Sequence, residues 1–223
     1  MAFVPYAQRN YTRRQGISCL QKGRIFLPWL KPRGFSPQNI MNTLNATVTY
    51  SIDAAHSSAS FSVRHMMISH VRGGFSDISG TLILDPANHE ASSVQVEIGV
   101  ASVHTGNADR DNHLRTGDFF DAAQYPKITF TSTKVEKTGD EEGNITGNLT
   151  IHGVTKSVTL AADGGTTEVN DLYGNLRLGF SARTKIKRSD YGLTYNSVLE
   201  TGGVLIGDDV EVTLDVQFVR PAA

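Results

Sequence analysis

The sequence predicts an all-β protein, an antiparallel barrel of about eight strands with one short helix. Three observations support this fold class. Apolar and polar residues alternate with a period of two in repeated short runs, as in strands with one buried face. Several connecting segments are too short for the crossover that parallel strands need. A single segment, at about residues 108–116, breaks the period inside the barrel region.

The alternating runs start at Thr47 and recur to the end of the chain. Their apolar positions, in chain order, are Val48, Tyr50 and Ile52; Val94, Val96, Ile98 and Val100; Ile128 and Phe130; Ile145, Leu149 and Ile151; Val154, Val158 and Leu160; Leu176, Leu178 and Phe180; and Val210, Val212, Leu214, Val216 and Phe218. The polar residues between them are expected to face water. Strands of this kind expose sheet edges, and closure into a barrel removes those edges.

Turn-forming residues separate the runs, as at Asp85-Pro86, His152-Gly153 and Gly207–Asp209. Residues 108–116 have no period of two and are predicted to form a short helix, with Asn107 or Asp109 near its N-terminus and Gly117 past its end. The helix is followed by aromatic residues. A helix in this place can plug or gate an open end of the barrel.

Composition limits the function classes. The 223 residues fit one large β domain, and the longest dense apolar stretch, 25–30, has six residues and contains Pro28. A membrane-spanning helix needs about 18 apolar residues, so an integral membrane protein is not expected. The single cysteine, Cys19, excludes an intrachain disulfide and a cysteine-rich metal site. No cofactor is predicted.

Charge is distributed unevenly along the chain. Residues 1–40 carry seven basic residues and no acid, which leaves 14 basic and 22 acidic residues in the remainder, a net charge of −8. An acidic body lacks the basic face that nucleic acid requires, so no nucleic-acid partner is expected. We predict that residues 1–45 form a basic, disordered extension and that 46–223 form the barrel domain. The extension is a targeting peptide, a basic arm, or translation from upstream of a start at Met41.

Three motifs resemble the YceI-like family. They are Arg110-Asp111-Asn112-His113-Leu114-Arg115-Thr116-Gly117-Asp118-Phe119-Phe120-Asp121, Tyr125-Pro126-Lys127-Ile128-Thr129-Phe130, and Gly147-Asn148-Leu149-Thr150-Ile151-His152-Gly153-Val154-Thr155-Lys156. Phe61–His65, Gly74-Phe75 and Arg188–Gly192 add to the match, which covers about residues 47–219.

The resemblance implies a lipocalin-like barrel whose elongated apolar cavity holds a polyisoprenoid or another long-chain amphiphile, without enzymatic activity. Many members are periplasmic, but no secretory signal is recognisable here, which favours the cytoplasm. The expected contacts of the apolar chain are Phe61, Val63, Met66, Phe75, Val96, Ile98, Phe119, Phe120, Phe130, Leu149, Leu178 and Phe180. The expected polar rim, which faces a head group, consists of His65, Arg110, Asp111 and His113.

The residues themselves leave other functions open. His104, Asp109, Asp111 and His113 fall in one segment and could serve a metal-dependent hydrolase, although no H-E-x-x-H spacing occurs. A solid barrel that binds another protein is a third option, and a homodimer is possible. Small residues at inward positions, Ala59 and Gly147, favour a cavity because they leave volume near the axis. Met66-Met67-Ile68 form an apolar patch between His65 and His70, either a portal or core packing.

Overall fold

The computed structural model of the chain describes residues 47–165, 167–198 and 204–221. The predicted N-terminal extension and Met41 lie outside these residues, so the proposed domain boundary at residue 46 stays a prediction. In the described part of the chain, no helix is long and apolar enough to cross a membrane.

The described chain is almost entirely antiparallel sheet. Its strands, in order, are β1 (Val48–Ile52), β2 (Ser58–His65), β3 (Ser69–Phe75), β4 (Ile78–Leu84), β5 (Ser93–Gly99), β6 (Val103–His104), β7 (Lys127–Lys137), β8 (Glu142–Ile151), β9 (Val154–Gly164), β10 (Val169–Asn170), β11 (Asn175–Lys187) and β12 (Ile206–Pro221). Within residues 47–165, 167–198 and 204–221 there is one α-helix, α1 (Ala108–Leu114), which follows β6. Short 3₁₀ turns occupy Ala54–His56, His89–Ala91, Val100–Ser102 and Arg188–Tyr191.

Eight strands close a ring in the order β11-β9-β8-β7-β5-β4-β1-β12, and β12 pairs again with β11. The closing pair runs from Asn175 opposite Pro221 to Lys187 opposite Asp209. All pairings are antiparallel, and hairpins join β7 to β8 and β8 to β9. The predicted antiparallel barrel of about eight strands with a short helix is confirmed.

A second group of strands widens one end of the barrel. The first part of β12 pairs with β2, whereas its residues Phe218 and Val219 pair with β1. β2 continues to β3 and β3 to β6. The alternating runs taken from the sequence did not include β2, β3 or β4; glycines interrupt the apolar phase of β3 at Gly73 and of β4 at Gly80, whereas β2 contains no glycine. A Cβ atom at Gly73 would stand 2.5 Å from Cζ of Phe61, so the neighbouring ring supplies the buried surface there.

The helix lies at one end of the barrel, here called the helix end. The Asn107 side chain accepts a hydrogen bond from the backbone N–H of Arg110 at 2.9 Å and so caps α1. The helix ends at Leu114, two residues before the predicted position. Leu114 and Phe120 pack on a buried cluster at this end that includes Ile128, Ile151 and Tyr191. The opposite end, here called the far end, contains a second buried cluster of Tyr50, Leu82, Leu178, Val216 and Phe218.

Candidate ligand-binding cavity

A cavity of about 450 Å³ runs through the barrel between these two clusters. Its wall consists of inward side chains from the strands on every side, because successive residues of a strand point to opposite faces of the sheet. Ile145 and Leu149 show this alternation in β8, and Phe180, Ala182, Thr184 and Ile186 show it in β11. The cavity is therefore long in the strand direction and almost wholly apolar.

The structure brings most of the predicted chain contacts to this wall. Those that line the cavity are Phe61, Val63, Phe75, Val96, Ile98, Phe119, Phe120, Phe130, Leu149 and Phe180, together with the predicted rim residues His65, Arg110 and His113.

Three predicted residues lie elsewhere. Leu178 is only 3% exposed and belongs to the cluster that fills the far end. Met66 is 41% exposed at the turn after β2, because its left-handed backbone (φ 50°) ends the strand and turns the side chain away from the wall. Asp111 does not line the cavity, and its carboxylate accepts a hydrogen bond from the hydroxyl of Thr105 at 2.5 Å.

Gly147 does not leave open volume as expected. A Cβ atom at this position would collide with the ring of Phe130, so the ring already occupies the space that the missing side chain vacates. Ala59, the other small residue, does line the cavity. The cavity therefore depends on which inward residues are small and also on where the aromatic rings of neighbouring strands lie.

Three rings meet at the helix end of the cavity. His113, Phe119 and Tyr195 each lie 5.0 Å from the other two by ring centroids, and all three line the cavity. His113 also contacts Asp118 through Nε2 at 2.8 Å. The three rings come from α1, the segment after it, and the connection between β11 and β12. They form an aromatic collar at this end.

Thr105 fastens α1 to the sheet. Arg110 donates through Nε to the hydroxyl of Thr105 at 2.7 Å and through Nη2 to its carbonyl at 3.0 Å. The same hydroxyl donates to Asp111. Because Thr105 directly follows β6, Arg110 and Asp111 both connect the helix to the strand through one residue. The charge-assisted hydrogen bonds of Arg110 and Asp111 with Thr105 hold the helix against the sheet.

Arg188 holds the other side of the helix end. It is 8% exposed, and its guanidinium donates to the backbone carbonyls of Leu193, Tyr195, Ile206 and Gly207. Burial lowers the pKa of Arg188, while Asp208 opposes this effect. The four carbonyls belong to the segments that flank the collar, so this one side chain fixes the backbone on which Tyr195 is carried.

The wall of the cavity contains basic side chains. His65, Arg110, His113 and Arg188 line it, and among the described residues no aspartate or glutamate does. Tyr191 also contributes to the wall; its hydroxyl is buried without a hydrogen-bond partner in the described chain, and burial raises the pKa of this phenol. The helix end thus offers basic and neutral polar groups beside an apolar channel.

The far end is closed by polar networks outside the apolar cluster. Arg177 contacts the carboxylates of Asp53 and Asp171. Two hydrogen bonds, the stronger effect from Arg177 and the weaker from His56, lower the pKa of Asp53 to about 2. Tyr50 donates to Glu168, which also accepts from Arg220 at 3.0 Å. These contacts tie β1, β10, β11 and β12 together where Tyr50 and Phe218 fill the barrel.

The residues of the hydrolase alternative do not converge. His104 approaches the carbonyl of Ser102 at 3.3 Å, Asp111 is paired with Thr105, and His113 is paired with Asp118. Within residues 47–165, 167–198 and 204–221, no three His, Cys, Asp or Glu side chains are placed to hold a metal ion. Side chains that share a sequence segment are here directed to separate partners.

Sequence reasoning missed several residues of the cavity. Arg188 and Tyr191 were recognised only as part of a motif, and Tyr195, Leu205 and Ile206 were not identified, although all five line the wall. Their segment has no sustained period, so alternation carried no signal for them. The run Arg188–Gly192 was the available clue, since a buried arginine needs several acceptors and a loop can supply them.

Comparison with known proteins gives consistent matches. The family model described as "YceI-like domain" matches residues 50–218 of this chain. Protein YceI of Salmonella newport is 42% identical over 165 residues, which cover 72% of this chain and 85% of that protein.

Solved structures with the same architecture include two proteins with a sequence identity to this chain of 40% and 27%. The YceI protein of Campylobacter jejuni is 40% identical, with a TM-score of 0.60 over 71% of this chain and 90% of that one. Burkholderia cenocepacia BcnA is 27% identical, with a TM-score of 0.65 over 74% and 98%. A polyisoprenoid-binding domain from Saccharophagus degradans has a TM-score of 0.57 over 77% and 98% at 20% identity, a likeness of fold alone.

Proposed function

The chain belongs to the YceI-like family, and from this premise we propose that its barrel binds the apolar tail of a long-chain amphiphile, a polyisoprenoid or a similar lipid, for storage or transport without chemical change. The observation that carries the proposal is the continuous apolar cavity of about 450 Å³. This volume lies in the range of roughly 300–1,000 Å³ that is usual for small-molecule sites.

The shape of the cavity favours a chain over a compact ligand. Ile145 and Ile151 both line it and are six residues apart in β8, a separation of about 20 Å along a strand. Each methylene moved from water into such a wall contributes about 0.8 kcal/mol. A long tail can therefore be held firmly without a single hydrogen bond.

The tail should enter with its polar head at the helix end. His65, Arg110 and His113 line the cavity there, whereas the far end of the cavity is bordered by apolar Leu82, Val216 and Phe218, against which Tyr50 and Leu178 pack. A head group with oxygen acceptors suits these basic side chains; His113 already contacts Asp118 and Arg110 already donates to Thr105, so the head group would use their remaining N–H groups. Phe119 and Tyr195 would surround the link between head and tail.

Mass spectrometry of an organic extract of the purified chain tests the proposal. We expect one long-chain lipid per protein, and we expect the delipidated protein to take up a fluorescent polyisoprenoid analogue. The variant Ala59→Trp places a large ring in the cavity and should abolish uptake. The matched control, Thr49→Trp, alters the opposite phase of a barrel strand, and Thr49 does not line the cavity. Equal uptake by both variants, or an empty extract without uptake, would contradict the proposal.

A further inference from the structure

An exposed apolar turn projects at the helix end. Met66, Met67 and Ile68 connect β2 to β3, and their exposed fractions are 41%, 52% and 80%. Met66 and Met67 both have left-handed backbone, with φ of 50° and 61°. Glycine and asparagine adopt this conformation most readily, so folding alone would favour them in the turn. Two methionines in these positions, followed by the exposed Ile68, indicate a use for the three apolar side chains.

The strands below this turn present a basic face. Arg64 lies opposite His70, and Arg72 lies opposite Ser62, so that Arg64, His70 and Arg72 point away from the cavity-lining Val63 and Val71. All three are exposed. In the described part of the chain neither arginine forms an ion pair, and the run from Ser58 to Phe75 contains no acidic residue.

The turn adjoins the helix end of the cavity, where we propose that the tail enters. The N–H of Met66 donates to the carbonyl of Leu205 at 2.8 Å, and both Leu205 and the preceding His65 line the cavity. Whatever binds the turn is therefore held next to the side chains through which a tail would pass.

The far end provides a contrast within the same molecule. Leu172 and Tyr173 are 100% and 88% exposed in the turn between β10 and β11. Their charged neighbours are the acidic Asp171 and Glu168, and the basic residues nearby, Arg177 and Arg220, are each paired with one of these carboxylates. Exposed apolar residues thus occur at both ends, but only those beside the cavity entrance combine with a basic face.

We propose that the β2–β3 turn is a membrane-docking element, in which Met66, Met67 and Ile68 enter the interface of a bilayer while Arg64 and Arg72 contact anionic lipid head groups. Apolar side chains beneath a basic rim are the combination by which peripheral proteins lie on anionic bilayers. Docking would bring the helix end of the barrel to the membrane surface, so that a tail passes between bilayer and cavity with little exposure to water. This proposal rests on the proposed lipid-binding function.

The most direct test measures the polarity around the turn itself. Residues 1–40 carry seven basic residues and would attract anionic vesicles on their own, so binding of the chain is not sufficient evidence. A Cys19→Ser, Met67→Cys chain labelled with a polarity-sensitive fluorophore should show a blue shift with vesicles of equal parts phosphatidylcholine and phosphatidylglycerol. A Cys19→Ser, Leu172→Cys chain labelled in the same way should show none. No shift at position 67, or equal shifts at both positions, would overturn the proposal and favour a protein partner for the turn.

Substitutions give the energetic test. Ile68→Asp should weaken partitioning to the same vesicles about tenfold, whereas Leu172→Asp should leave it unchanged. Arg64→Gln and Arg72→Gln should each weaken it about fivefold. Partitioning of Ile68→Asp equal to that of the unaltered chain would contradict docking by this turn.

The lipid content of the same preparations separates this proposal from the proposed function. Met67 and Ile68 do not line the cavity, so Ile68→Asp should retain its lipid while losing insertion. A lipid-filled protein whose turn does not insert would refute docking and leave the ligand proposal standing. An empty protein whose turn inserts would refute the ligand proposal alone.

Discussion

The ring of Phe130 lies over Gly147, on the neighbouring strand. Phe130 pairs with Leu149 across β7 and β8, which makes Gly147 its diagonal neighbour. A Cβ atom at Gly147 would meet the ring and would also stand 2.5 Å from the carbonyl oxygen of Thr131. The glycine therefore allows an inward phenylalanine to lie flat against the barrel wall and leaves the centre of the cavity free.

Gly147→Ala should consequently force the Phe130 ring toward the cavity axis. We expect a loss of about 1–3 kcal/mol in the free energy of unfolding, as for other overpacked sites. We also expect the bound lipids to cover a narrower range of tail lengths and widths. Urea denaturation and extract mass spectrometry on one preparation measure both effects. In the double variant with Phe130→Leu the chain selection should recover, while the contact with Thr131 keeps part of the stability loss. Additive effects of the two substitutions would argue against this packing relation.

Phe180 tests the wall of the cavity. Its ring lines the cavity and contacts Phe218 at 5.7 Å between centroids. Phe180→Ala should cost well below the roughly 3–5 kcal/mol of a solid core, because the new space joins a channel that is already present. Longer or bulkier chains should then be retained.

Leu178→Ala is the matched control for this variant, two residues away on the same face but in the filled far end. It should cost about 2–5 kcal/mol and leave chain selection unchanged. If Phe180→Ala shows the larger loss and neither variant alters the extract, the wall is a solid core at this position.

Arg188 should be essential for the shape of the helix end. Arg188→Met removes the donor for four backbone carbonyls, and we expect a loss of about 3 kcal/mol in unfolding free energy. Arg188→Lys should recover little of it, since a single ammonium cannot reproduce the fork of a guanidinium. Thermal unfolding and amide hydrogen exchange at Leu193 and Tyr195 check this; unchanged exchange in Arg188→Met would show that the carbonyls have other donors.

Asp111 is expected to act on stability and not on metal content. Asp111→Ala leaves the Thr105 hydroxyl without its acceptor and should lower the free energy of unfolding by about 1 kcal/mol. Asp111→Asn retains an acceptor oxygen and should lose less. Denaturation and elemental analysis are the measurements. Loss of a bound metal with stability preserved would instead revive the metal-dependent hydrolase.

The far end should be sensitive to acid. Asp53 has a pKa lowered from 3.8 to about 2, mainly by the hydrogen bond from Arg177. Because the folded pKa lies below the unfolded one, the stabilisation is complete above about pH 4 and is lost as the pH falls toward 2. Asp53→Asn should therefore flatten the dependence of the melting temperature on pH in this window. If the pH dependence of the melting temperature is unchanged in this variant, other carboxyl groups, such as Asp171, are responsible for it.

The sequence by itself determined the barrel and most of its wall. A period of two assigns every second residue of a strand to one face, so Val96, Ile98, Phe130 and Leu149 could be placed inward without any knowledge of the fold. Short turns determined that the strands are antiparallel. The capping residue Asn107 marked the start of the helix, because an unpaired N–H group at a helix start needs an acceptor close in sequence.

Only the tertiary structure decided which inward residues line space and which fill it. Leu178 and Phe180 share one phase, yet Leu178 is packed among Tyr50 and Phe218 while Phe180 borders the cavity. The same holds for Gly147, whose missing side chain is replaced by the ring of Phe130. Occupied volume depends on neighbours that are distant in sequence, and alternation along one strand contains no information about them. Arg188 shows this most directly, since its four acceptors are backbone carbonyls that no sequence pattern marks.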